Sequence, residues 1–537
     1  MRRKLSAVYA MDETIEKLRA SYDATAYESI PYRQTHPDRL AVVAALQGIA
    51  APPFEGCRVL ELGCASGGNL IPMSEQLPHA QFLGVDLSSR QIETGAAIAG
   101  ELGLANIELR CLDMMDFPPA LGHFDYIIAH GVLSWVPRPV QTRLFEIVRD
   151  HLSPGGLAYI SYNCYPGWRL MEIGREMMLY VGGNTADPKV SAGRGREIIR
   201  LVAAHPPNQS HYRETMRTLQ KSLVNESDRQ ILHDRMEVVN LPLYFWQFMQ
   251  DCKAHGLGYV GDAWATVDPS VDLSKPALEI ISKISTDALD AEQYSDFFDN
   301  RMFRSSVICH EQLISAPRSP APGRFAKLYF AGNPPQTPAG LDAEGRAAFD
   351  FACGDFKVRV SDPRPLAVLG RLKAAAPAPV SFEELRKAVH QQVPGYFDSP
   401  EPIEALERLI QTYHRMGMIE LWSNAPDFLT FKVEEFPRTT RYARWQASHN
   451  LPVASLKLTA VDLDPAFRIL VSLLDGTRNR RSMMEEIMRR KDSPDVASWP
   501  LRNRKEFEEA LEKALKIIAS NCLLLHSNPA VSASTGV

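Results

Sequence analysis

The sequence lacks the features that mark membrane-spanning, secreted and nucleic-acid-binding proteins. None of its apolar runs approaches the ~18 residues that a membrane-spanning helix needs. The first residues, MRRKLSAVYAMDET, are basic but have no apolar stretch of the kind found in signal peptides. Lys and Arg number 59 against 64 Asp and Glu, so the net charge is −5 and there is no basic excess. We therefore expect no membrane span and no nucleic-acid partner.

Cysteine is sparse and scattered. The 537 residues contain eight cysteines, no C-x-x-C pair, and no cysteine at metal-ligand spacing from a pair of histidines. This pattern predicts neither a disulfide framework nor a metal site, and we expect reduced, buried thiols in a cytoplasmic protein. The apolar and charged fractions, 45% and 23%, are typical of globular chains, and the length suggests three to four domains.

Short apolar segments alternate with amphipathic segments from Cys57 to Asn163. The predicted strands are CRVLEL, QFLGVDL, NIELRCLD, HFDYIIAH and LAYISYN. This alternation predicts an α/β domain with a parallel, doubly wound sheet. Two later segments, GLGYVGDA (256–263) and FRSSVICHE (303–311), are expected to add an antiparallel hairpin at the sheet edge. Residues 165–253 then form a helical insertion, and 266–300 form a smaller one.

The C-terminal part contains a weak internal repeat of short helices, a long helix and a terminal strand, which indicates two winged-helix-like modules. Ser381-x-x-Glu384 and Ser482-x-x-Glu485 are matching candidate capping boxes. The predicted parts of the chain are an N-terminal helical lid (1–50), the α/β domain (51–311), a Pro-, Ala- and Gly-rich linker or crossing segment (312–360), the two modules (361–424 and 425–527) and a disordered tail (528–537).

The string VLELGCASGGN, residues 59–69, carries the strongest chemical signal. A strand delivers an acidic residue and then a loop of small residues, directly before a helix whose first N–H groups are free. The next strand ends at Asp86, which is expected to accept hydrogen bonds from the hydroxyls of a ribose. A third strand ends near Asp113, where a carboxylate can accept a hydrogen bond from an adenine amino group. Together these strand ends predict a site for an adenosine-containing ligand.

Glu61 distinguishes between two classes of such ligands. Nicotinamide cofactors usually bind a G-x-G-x-x-G loop with their pyrophosphate at the helix N-terminus. A carboxylate in front of the loop would repel a pyrophosphate, but it suits a ligand that ends in an ammonium group. Glu61 therefore favours S-adenosylmethionine over NAD.

The loop, the strand GVDLS, the pair Leu112-Asp113 and the turn SPGG together resemble class I S-adenosylmethionine-dependent methyltransferases. The resemblance implies a Rossmann-like methyltransferase sheet over 51–311, with the loop on the methionine part, Asp86 on the ribose and Asp113 on the adenine. The family's usual middle glycine is Ala65 here. The residues expected to contact the cofactor are Tyr22, Glu61, Gly63, Ala65, Gly67, Asn69, Asp86, Leu87, Asp113, Met114 and His130.

A narrower resemblance covers residues 20–310 well and the C-terminal half loosely. SYDATAYES, AHGVLSWVP, SYNCYPGW, LGYVGDA and FRSSVIC are similar to methyltransferases with a methyltransferase regulatory domain. This group includes rickettsial outer-membrane-protein lysine methyltransferases. The resemblance implies a protein substrate, an outer-membrane or surface protein, that is methylated at lysine.

The segments after the fourth and fifth strands are rich in aromatic residues, which suit a cationic acceptor. We expect Tyr162, Asn163 and Trp168 to act in catalysis, with His130 and Trp135 beside them and Tyr22, Tyr27 and Tyr32 in a lid. The N/D-P-P-Y/F/W motif of nucleobase and Gln methylation is absent after the fourth strand, as is a Pro-Cys pair. Both absences argue further against a nucleic-acid substrate.

Two other functions stay open at this point. One is a small-molecule methyltransferase of a biosynthetic pathway, and the other is a non-catalytic binding protein on a methyltransferase scaffold. The roughly 230 residues beyond the α/β domain argue for a macromolecular substrate, since a small-molecule enzyme can be much shorter. The insertion and the C-terminal modules are expected to form a large substrate groove or a homodimer interface.

Overall fold

The structure is a computed structural model. It describes residues 2–25, 27, 29–183, 185, 187–205, 210–263, 273–314, 323–353, 356–397, 401–426, 428–501 and 503–526. The predicted disordered tail, 528–537, lies outside the described residues. In the described part of the chain, no helix has the length and apolar character needed to cross a membrane.

A seven-stranded sheet forms the centre of the N-terminal half. Its strands are β1 (Arg58–Leu62), β2 (Gln81–Asp86), β3 (Ile107–Cys111), β4 (Phe124–Ala129), β5 (Leu152–Asn163), β6 (Leu257–Asp262) and β7 (Phe303–His310). They are ordered β3-β2-β1-β4-β5-β7-β6, and only β7 runs antiparallel to its neighbours. This confirms the doubly wound α/β class, and β6 and β7 pair antiparallel at the edge as predicted.

The chain begins with α1 (Arg2–Ala24), which lies over the carboxyl edge of the sheet. Helices cover both faces of the sheet: α2 (Pro37–Leu46), α3 (Leu70–Gln76) and α4 (Ser89–Glu101) contribute to the core on one face, and α5 (Arg138–His151) contributes to the core on the other. The sequence sets their starts locally. His36 caps α2 by accepting from the Asp38 N–H, with Pro37 at the first helical position, and Ser88 caps α4. Successive strand residues face opposite cores, so Val59 packs in one cluster and Leu60 in the other.

Two groups of helices interrupt the chain between β5 and β7. They are α6 (Trp168–Gly182), α7 (Pro188–Ala204), α8 (Ser210–Leu223), α9 (Asp228–Gln230) and α10 (Phe245–Ala254) before β6, and α11 (Lys275–Ile284) and α12 (Ala288–Asp299) after it. A single π-helical turn, Ile231–Arg235, follows α9. The first group has its own core around Met178, Ile199 and Met216, and its π-helical turn reaches the site described below.

The predicted linker or crossing segment, 312–360, is folded into strands over its second half. Residues from 329 onward form β8 (Tyr329–Ala331), β9 (Gln336–Leu341), β10 (Ala347–Cys353) and β11 (Phe356–Val360). The last three make an antiparallel sheet in the order β11-β10-β9. Pro338 lies in the edge strand β9, where a missing N–H is tolerated, so the proline-rich composition was compatible with strands.

The C-terminal elements form two groups of helices with short strands. The first has α13 (Pro363–Ala375), β12 (Val380–Ser381), α14 (Phe382–Gln392), α15 (Glu401–Arg415) and β13 (Glu420–Trp422), and β8 lies between β12 and β13. The second has α16 (Arg441–Ser448), β14 (Val453–Ala454), β15 (Ala460–Val461), α17 (Pro465–Ser472), α18 (Arg480–Arg489) and α19 (Arg504–Ser520).

The two predicted capping boxes have different outcomes. Ser381 accepts from the Glu384 N–H while the Glu384 carboxylate accepts from the Ser381 N–H, so the first box is confirmed. The second is wrong, because α18 begins earlier and Asn479 is its cap, accepting from the N–H of Ser482. The domain boundaries themselves stay predictions.

The C-terminal groups pack against the α/β domain. Phe330, Leu385 and Leu421 belong to the same core cluster as Val59 of the central sheet. The Glu75 carboxylate of α3 accepts from the backbone N–H groups of Arg441 and Tyr442 at 2.6 and 3.0 Å, and so caps the start of α16. These contacts lie on the side of α2 and α3, which leaves the carboxyl ends of the strands free for the site.

Candidate functional site

A cavity of about 420 Å³ lies at the carboxyl ends of the parallel strands. Its floor contains the ends of β1, β2 and β4 and the loops that follow them. The N-terminal segment from Ile15 to Tyr32 and the π-helical turn of the insertion complete its walls. The position agrees with the general rule that ligands bind at the carboxyl edge of a doubly wound sheet, where the strand order reverses.

The small-residue loop after β1 turns sharply beneath this cavity. Gly63 has φ +73°, and a Cβ built there would lie 2.6 Å from Val132 Cγ2, so glycine is required for two reasons. Ala65 holds φ +49°, a conformation that costs energy for a residue with a Cβ. The Ala65 N–H donates to Asp86 Oδ2 at 2.8 Å, which holds the loop in this shape.

Glu61 lies under the loop and is 3% exposed. Its Oε1 accepts from Asn69 Nδ2 at 2.8 Å, while Oε2 has no hydrogen-bond partner among the described residues. Burial raises the pKa of this carboxyl to about 8, because the Asn69 hydrogen bond offsets the desolvation only in part. A ligand cation at Oε2 would favour the ionised form.

Two further carboxylates line the cavity at the ends of β2 and β3. Asp86 accepts from the N–H groups of Ala65 and Ser88, and these bonds oppose the rise in its pKa that burial causes. Asp113 accepts from the Met115 N–H at 2.9 Å. Each carboxylate oxygen has two lone pairs, so both side chains can accept further hydrogen bonds from a ligand.

The N-terminal segment forms a roof over the loop. The Gly68 N–H donates to Ser29 Oγ at 2.7 Å, and the Tyr32 N–H donates to Asn69 Oδ1 at 2.9 Å. The Tyr32 ring lies 3.8 Å from the ring of His130. These contacts join residues 29–32 directly to the floor of the cavity.

His130 follows β4 and lines the cavity. Its Nδ1 is 2.9 Å from the Tyr159 hydroxyl and 3.3 Å from Ser161 Oγ. Burial lowers the pKa of this imidazole to about 4, so the ring is neutral at physiological pH. A neutral imidazole does not repel a positively charged ligand.

Aromatic side chains surround the far end of the cavity. Trp135 and Trp168 meet edge to face with their centroids 6.3 Å apart, and Phe303, whose ring lies 6.2 Å from that of His130, also lines the cavity. Trp168 Nε1 is buried and has no partner in the described part of the chain. Asn163 also lines this end, with Nδ2 bonded to Asn240 Oδ1 at 3.0 Å.

The structure brings most of the predicted site residues together around this one cavity. Those that line it are Tyr22, Glu61, Gly63, Ala65, Asn69, Asp86, Leu87, Asp113, Met114, His130, Asn163 and Trp168, together with Tyr27, Tyr32 and Trp135.

Two predicted residues lie outside the lining. Tyr162 packs in the hydrophobic core, stacked on Phe248 at 4.5 Å, because adjacent residues of β5 face opposite sides and Asn163 takes the cavity side. The structure therefore gives no support to direct contact of Tyr162 with this cavity, and its catalytic role stays a prediction. Gly67 belongs to the loop but is not in the cavity lining. A Cβ built there would meet Leu109 and Ile71, so direct contact of Gly67 with the cofactor is not supported.

Sequence reasoning missed the part of the site that comes from the insertion. His233, Asp234 and Arg235 line the cavity although they are about 100 residues beyond β4. The string HDR among polar helical residues carries no periodic signal. Gln91 was also missed, although it lies at the start of the helix after Asp86, where free N–H groups and a ligand are expected.

The residues present fit S-adenosylmethionine. Three buried polar atoms of the lining, Glu61 Oε2, Gln91 Oε1 and Trp168 Nε1, have no hydrogen-bond partner among the described residues. Buried polar atoms are normally satisfied, so these three indicate a polar ligand. The chain offers a carboxylate for an ammonium at Glu61 and carboxylates for hydroxyl and amino groups at Asp86 and Asp113. When bound, the cofactor supplies a methyl group activated by a positively charged sulfur.

Comparison with known proteins agrees with this geometry. The family model of a methyltransferase domain matches residues 59–156, and that of a predicted methyltransferase regulatory domain matches 227–310. A third model, described as the PKMT C-terminal winged helix domain, matches residues 435–523.

Relatives cover nearly the whole chain. An uncharacterized protein of Rickettsia prowazekii is 28% identical over 520 residues, which are 94% of this chain and 93% of that protein. A second protein of the same organism is 34% identical over 236 residues, 43% of this chain and 94% of its own length. The structure of PKMT2 from Rickettsia typhi in complex with AdoHcy is similar with a TM-score of 0.81 at 26% identity, covering 93% of this chain and 99% of that one. The chain therefore belongs to the class I S-adenosylmethionine-dependent methyltransferases that carry a methyltransferase regulatory domain and a PKMT-type winged helix domain.

Proposed function

We propose that this methyltransferase acts on proteins, at lysine side chains. The observation that carries the proposal is that the aromatic end of the cavity reaches the surface. Phe303 lines the cavity and is 41% exposed, whereas Trp168, farther in, is 8% exposed. A passage between aromatic faces suits an aliphatic chain with a cationic tip, because the rings attract the cation and cover the methylene groups.

The surroundings also suit an amine nucleophile. A lysine ammonium has to lose a proton before its nitrogen can accept a methyl group. Burial among Trp135, Trp168 and Tyr32 disfavours the charged form and so lowers the pKa of an incoming amine. The apolar ring faces leave few partners for water beside the reacting groups.

We propose the following roles for the cofactor-binding side chains. Glu61 Oε2 accepts from the ammonium of the methionine part, Asp86 accepts from the ribose hydroxyls, and Asp113 accepts from the adenine amino group. Gly63 and Ala65 hold the loop so that its backbone approaches the methionine part. In the acceptor end, Trp168 and Asn163 orient the incoming side chain.

The name PKMT2 of the rickettsial structure and the resemblance to outer-membrane-protein lysine methyltransferases support a protein substrate. An outer-membrane or surface protein is the substrate class that we propose. The cytoplasmic location and the homodimer stay predictions.

The roof of Tyr22, Tyr27 and Tyr32 favours a second candidate, a small-molecule methyltransferase, because these rings cover the cofactor half of the cavity. The two functions differ in what becomes labelled. The protein is incubated with methyl-labelled S-adenosylmethionine and a cell-envelope lysate, and the label is located by mass spectrometry, with Asp86→Ala as the control. Methylated lysine in a protein supports the proposal, whereas label found only in small molecules, or on another side chain, overturns it.

A further inference from the structure

The roof over the cofactor loop is held from two sides. On the inner side, Ser29 and Tyr32 bond to the loop residues Gly68 and Asn69. On the outer side, the chain continues directly into a short helical turn, Arg33–Thr35, and then into α2. Side chains of this continuation contact the C-terminal part of the chain, which has no role in the scheme above.

Asn69 connects the floor of the cavity to the turn. Its Nδ2 donates to Glu61 Oε1 at 2.8 Å and lies 3.0 Å from Thr35 Oγ1. The Thr35 hydroxyl donates to the Tyr32 carbonyl at 2.7 Å. All of these polar side chains are buried. A continuous set of short hydrogen bonds therefore links Glu61 to residues 32–35, so a shift of the turn would disturb the side chains around the cofactor loop.

Arg33, the first residue of the turn, faces the C-terminal part of the chain. Its Nη2 lies 3.2 Å from Oε2 of Glu420, the first residue of β13. Its guanidinium carbon lies 6.0 Å from the centre of the Trp422 ring, at the end of the same strand. Glu420 Oε1 accepts from Lys457 Nζ at 2.8 Å. One carboxylate thus lies between a cation next to the roof and a cation of the second C-terminal group.

These ion pairs are shielded from solvent. The side chains of Arg33, Glu420 and Lys457 are 31%, 25% and 22% exposed. Burial opposes the ionisation of Glu420, but the charges of Arg33 and Lys457 outweigh it and lower the pKa of this carboxyl. Partly buried pairs are screened less by salt than exposed ones. Without the charge of Glu420, two partly buried cations would lie on either side of a neutral group.

A second contact fixes the start of α2 to the residues that follow β13. Asp38 Oδ1 accepts from the N–H and the hydroxyl of Ser423 at 2.9 and 2.7 Å, and from the Asn424 N–H at 3.2 Å. Asp38 is buried. The chain leaving the roof is therefore attached at two points to one strand and its end, and this strand belongs to the C-terminal part rather than to the methyltransferase sheet.

We propose that Glu420 is a positioning residue for the cofactor, which acts through Arg33 to hold the roof segment 29–32 closed over the loop. The C-terminal part of the chain then sets how long the cofactor stays bound, because release requires the roof to open. Glu420 itself does not line the cavity. Its role does not depend on which group accepts the methyl, so it goes beyond the proposed function.

The test measures how fast S-adenosylhomocysteine associates with and leaves the full chain. Wild type, Glu420→Gln, Arg33→Gln and the double variant are compared in stopped-flow measurements, and the thermal unfolding of each empty protein is recorded. Glu420→Gln keeps the size of the side chain and removes its charge. The matched control is Lys457→Gln, which removes the other ion pair of Glu420 and leaves the pair with Arg33 in place.

We expect Glu420→Gln and Arg33→Gln each to speed dissociation about three- to tenfold. The double variant should be no faster than either single variant, because both changes remove the same contact. Lys457→Gln should stay within about twofold of wild type. A wild-type dissociation rate in Glu420→Gln, or effects that add in the double variant, would overturn the inference. Equally fast dissociation from Lys457→Gln would also overturn it, since the contact with Arg33 would then not be the cause.

Two further readouts distinguish a loosened roof from a general loss of stability. Arg33→Lys keeps the charge and should retain most of the slow dissociation that Arg33→Gln loses; equal rates in these two variants count against the ion pair. The association rate of S-adenosylhomocysteine should not fall in Glu420→Gln, because the groups that bind it are unchanged. Slower association with unchanged dissociation contradicts a hold on the roof. If Glu420→Gln does not fold, the comparison of the two Arg33 variants decides.

Discussion

The buried carboxyl of Glu61 should make the empty protein less stable and the cofactor complex tighter, and Glu61→Gln separates the two effects. The substitution keeps the shape of the side chain and an oxygen for Asn69 Nδ2, but it removes the ionisable group. Burial raises the folded-state pKa of Glu61 to about 8 from an ordinary value of 4.5. The folded protein therefore holds the proton more tightly than the unfolded chain does.

The sign and size of the stability effect follow from this difference. The contribution of Glu61 to stability is fully present below pH 4.5 and is lost as the pH rises through 8. At pH 7 the cost is about 3 kcal/mol, taking about 1.4 kcal/mol for each pH unit above 4.5. Glu61→Gln removes this cost, so the variant without ligand should resist urea better than wild type at pH 7, and the advantage should disappear near pH 4.5.

Binding should change in the opposite direction. The hydrogen bond between a carboxylate and an ammonium contributes about 1.5–3 kcal/mol, so Glu61→Gln should weaken S-adenosylhomocysteine binding roughly 10- to 100-fold. In wild type, the affinity should rise with pH up to about 8, because binding ionises Glu61. In the variant this part of the pH dependence should be absent.

Calorimetric titrations from pH 6 to pH 9, with urea unfolding of the empty proteins, measure both quantities. Glu108→Gln is the control, since Glu108 lies on β3 in an exposed pair with Arg110. A variant that is less stable than wild type when empty, or that binds S-adenosylhomocysteine equally well, would refute the reasoning.

Three further predictions follow from the same geometry. Asp86→Ala should weaken S-adenosylhomocysteine binding by about 1–3 kcal/mol in calorimetry, and an unchanged affinity would contradict the ribose role. Gly68→Ala should speed S-adenosylhomocysteine dissociation about tenfold in stopped-flow measurements, because the new Cβ would lie 2.1 Å from the Ser29 carbonyl oxygen and displace the roof. Gly100→Ala is the control and should show no change, because a Cβ at that position has no atom within 4 Å. Tyr162→Phe should leave kcat within about twofold, because the hydroxyl only approaches Ser306 at 3.4 Å in the core, and a large fall in kcat with normal cofactor binding would restore a catalytic role.

Local patterns were sufficient to predict the sheet and much of the cavity floor. Strand periodicity located all seven strands of the central sheet, and the acidic residues at their ends lie together because the carboxyl ends of parallel strands share one edge. Glu61, Asp86 and Asp113 could be found in this way without any knowledge of distant contacts.

Side-chain direction was harder to predict at the end of a strand. Tyr162 and Asn163 are adjacent in β5, where side chains alternate between the core and the cavity. If the alternation is assigned one residue out of step, Tyr162 is placed in the cavity and Asn163 in the core, the reverse of what the structure shows. Composition also misled at 329–360, where prolines and glycines lie at an edge and in turns of a sheet rather than in a linker.

The amino-acid sequence alone determined the class of the fold, the small-residue loop and the carboxylates for the adenosyl group, since each depends on residues close together in the chain. The roof and the acceptor end depended on tertiary structure. Tyr22 meets His233, and Asp234 enters the cavity, only because α1 and the insertion pack on the same edge of the sheet although some 200 residues separate them. Such contacts arise from the packing of distant surfaces, which leaves no period or spacing in the chain.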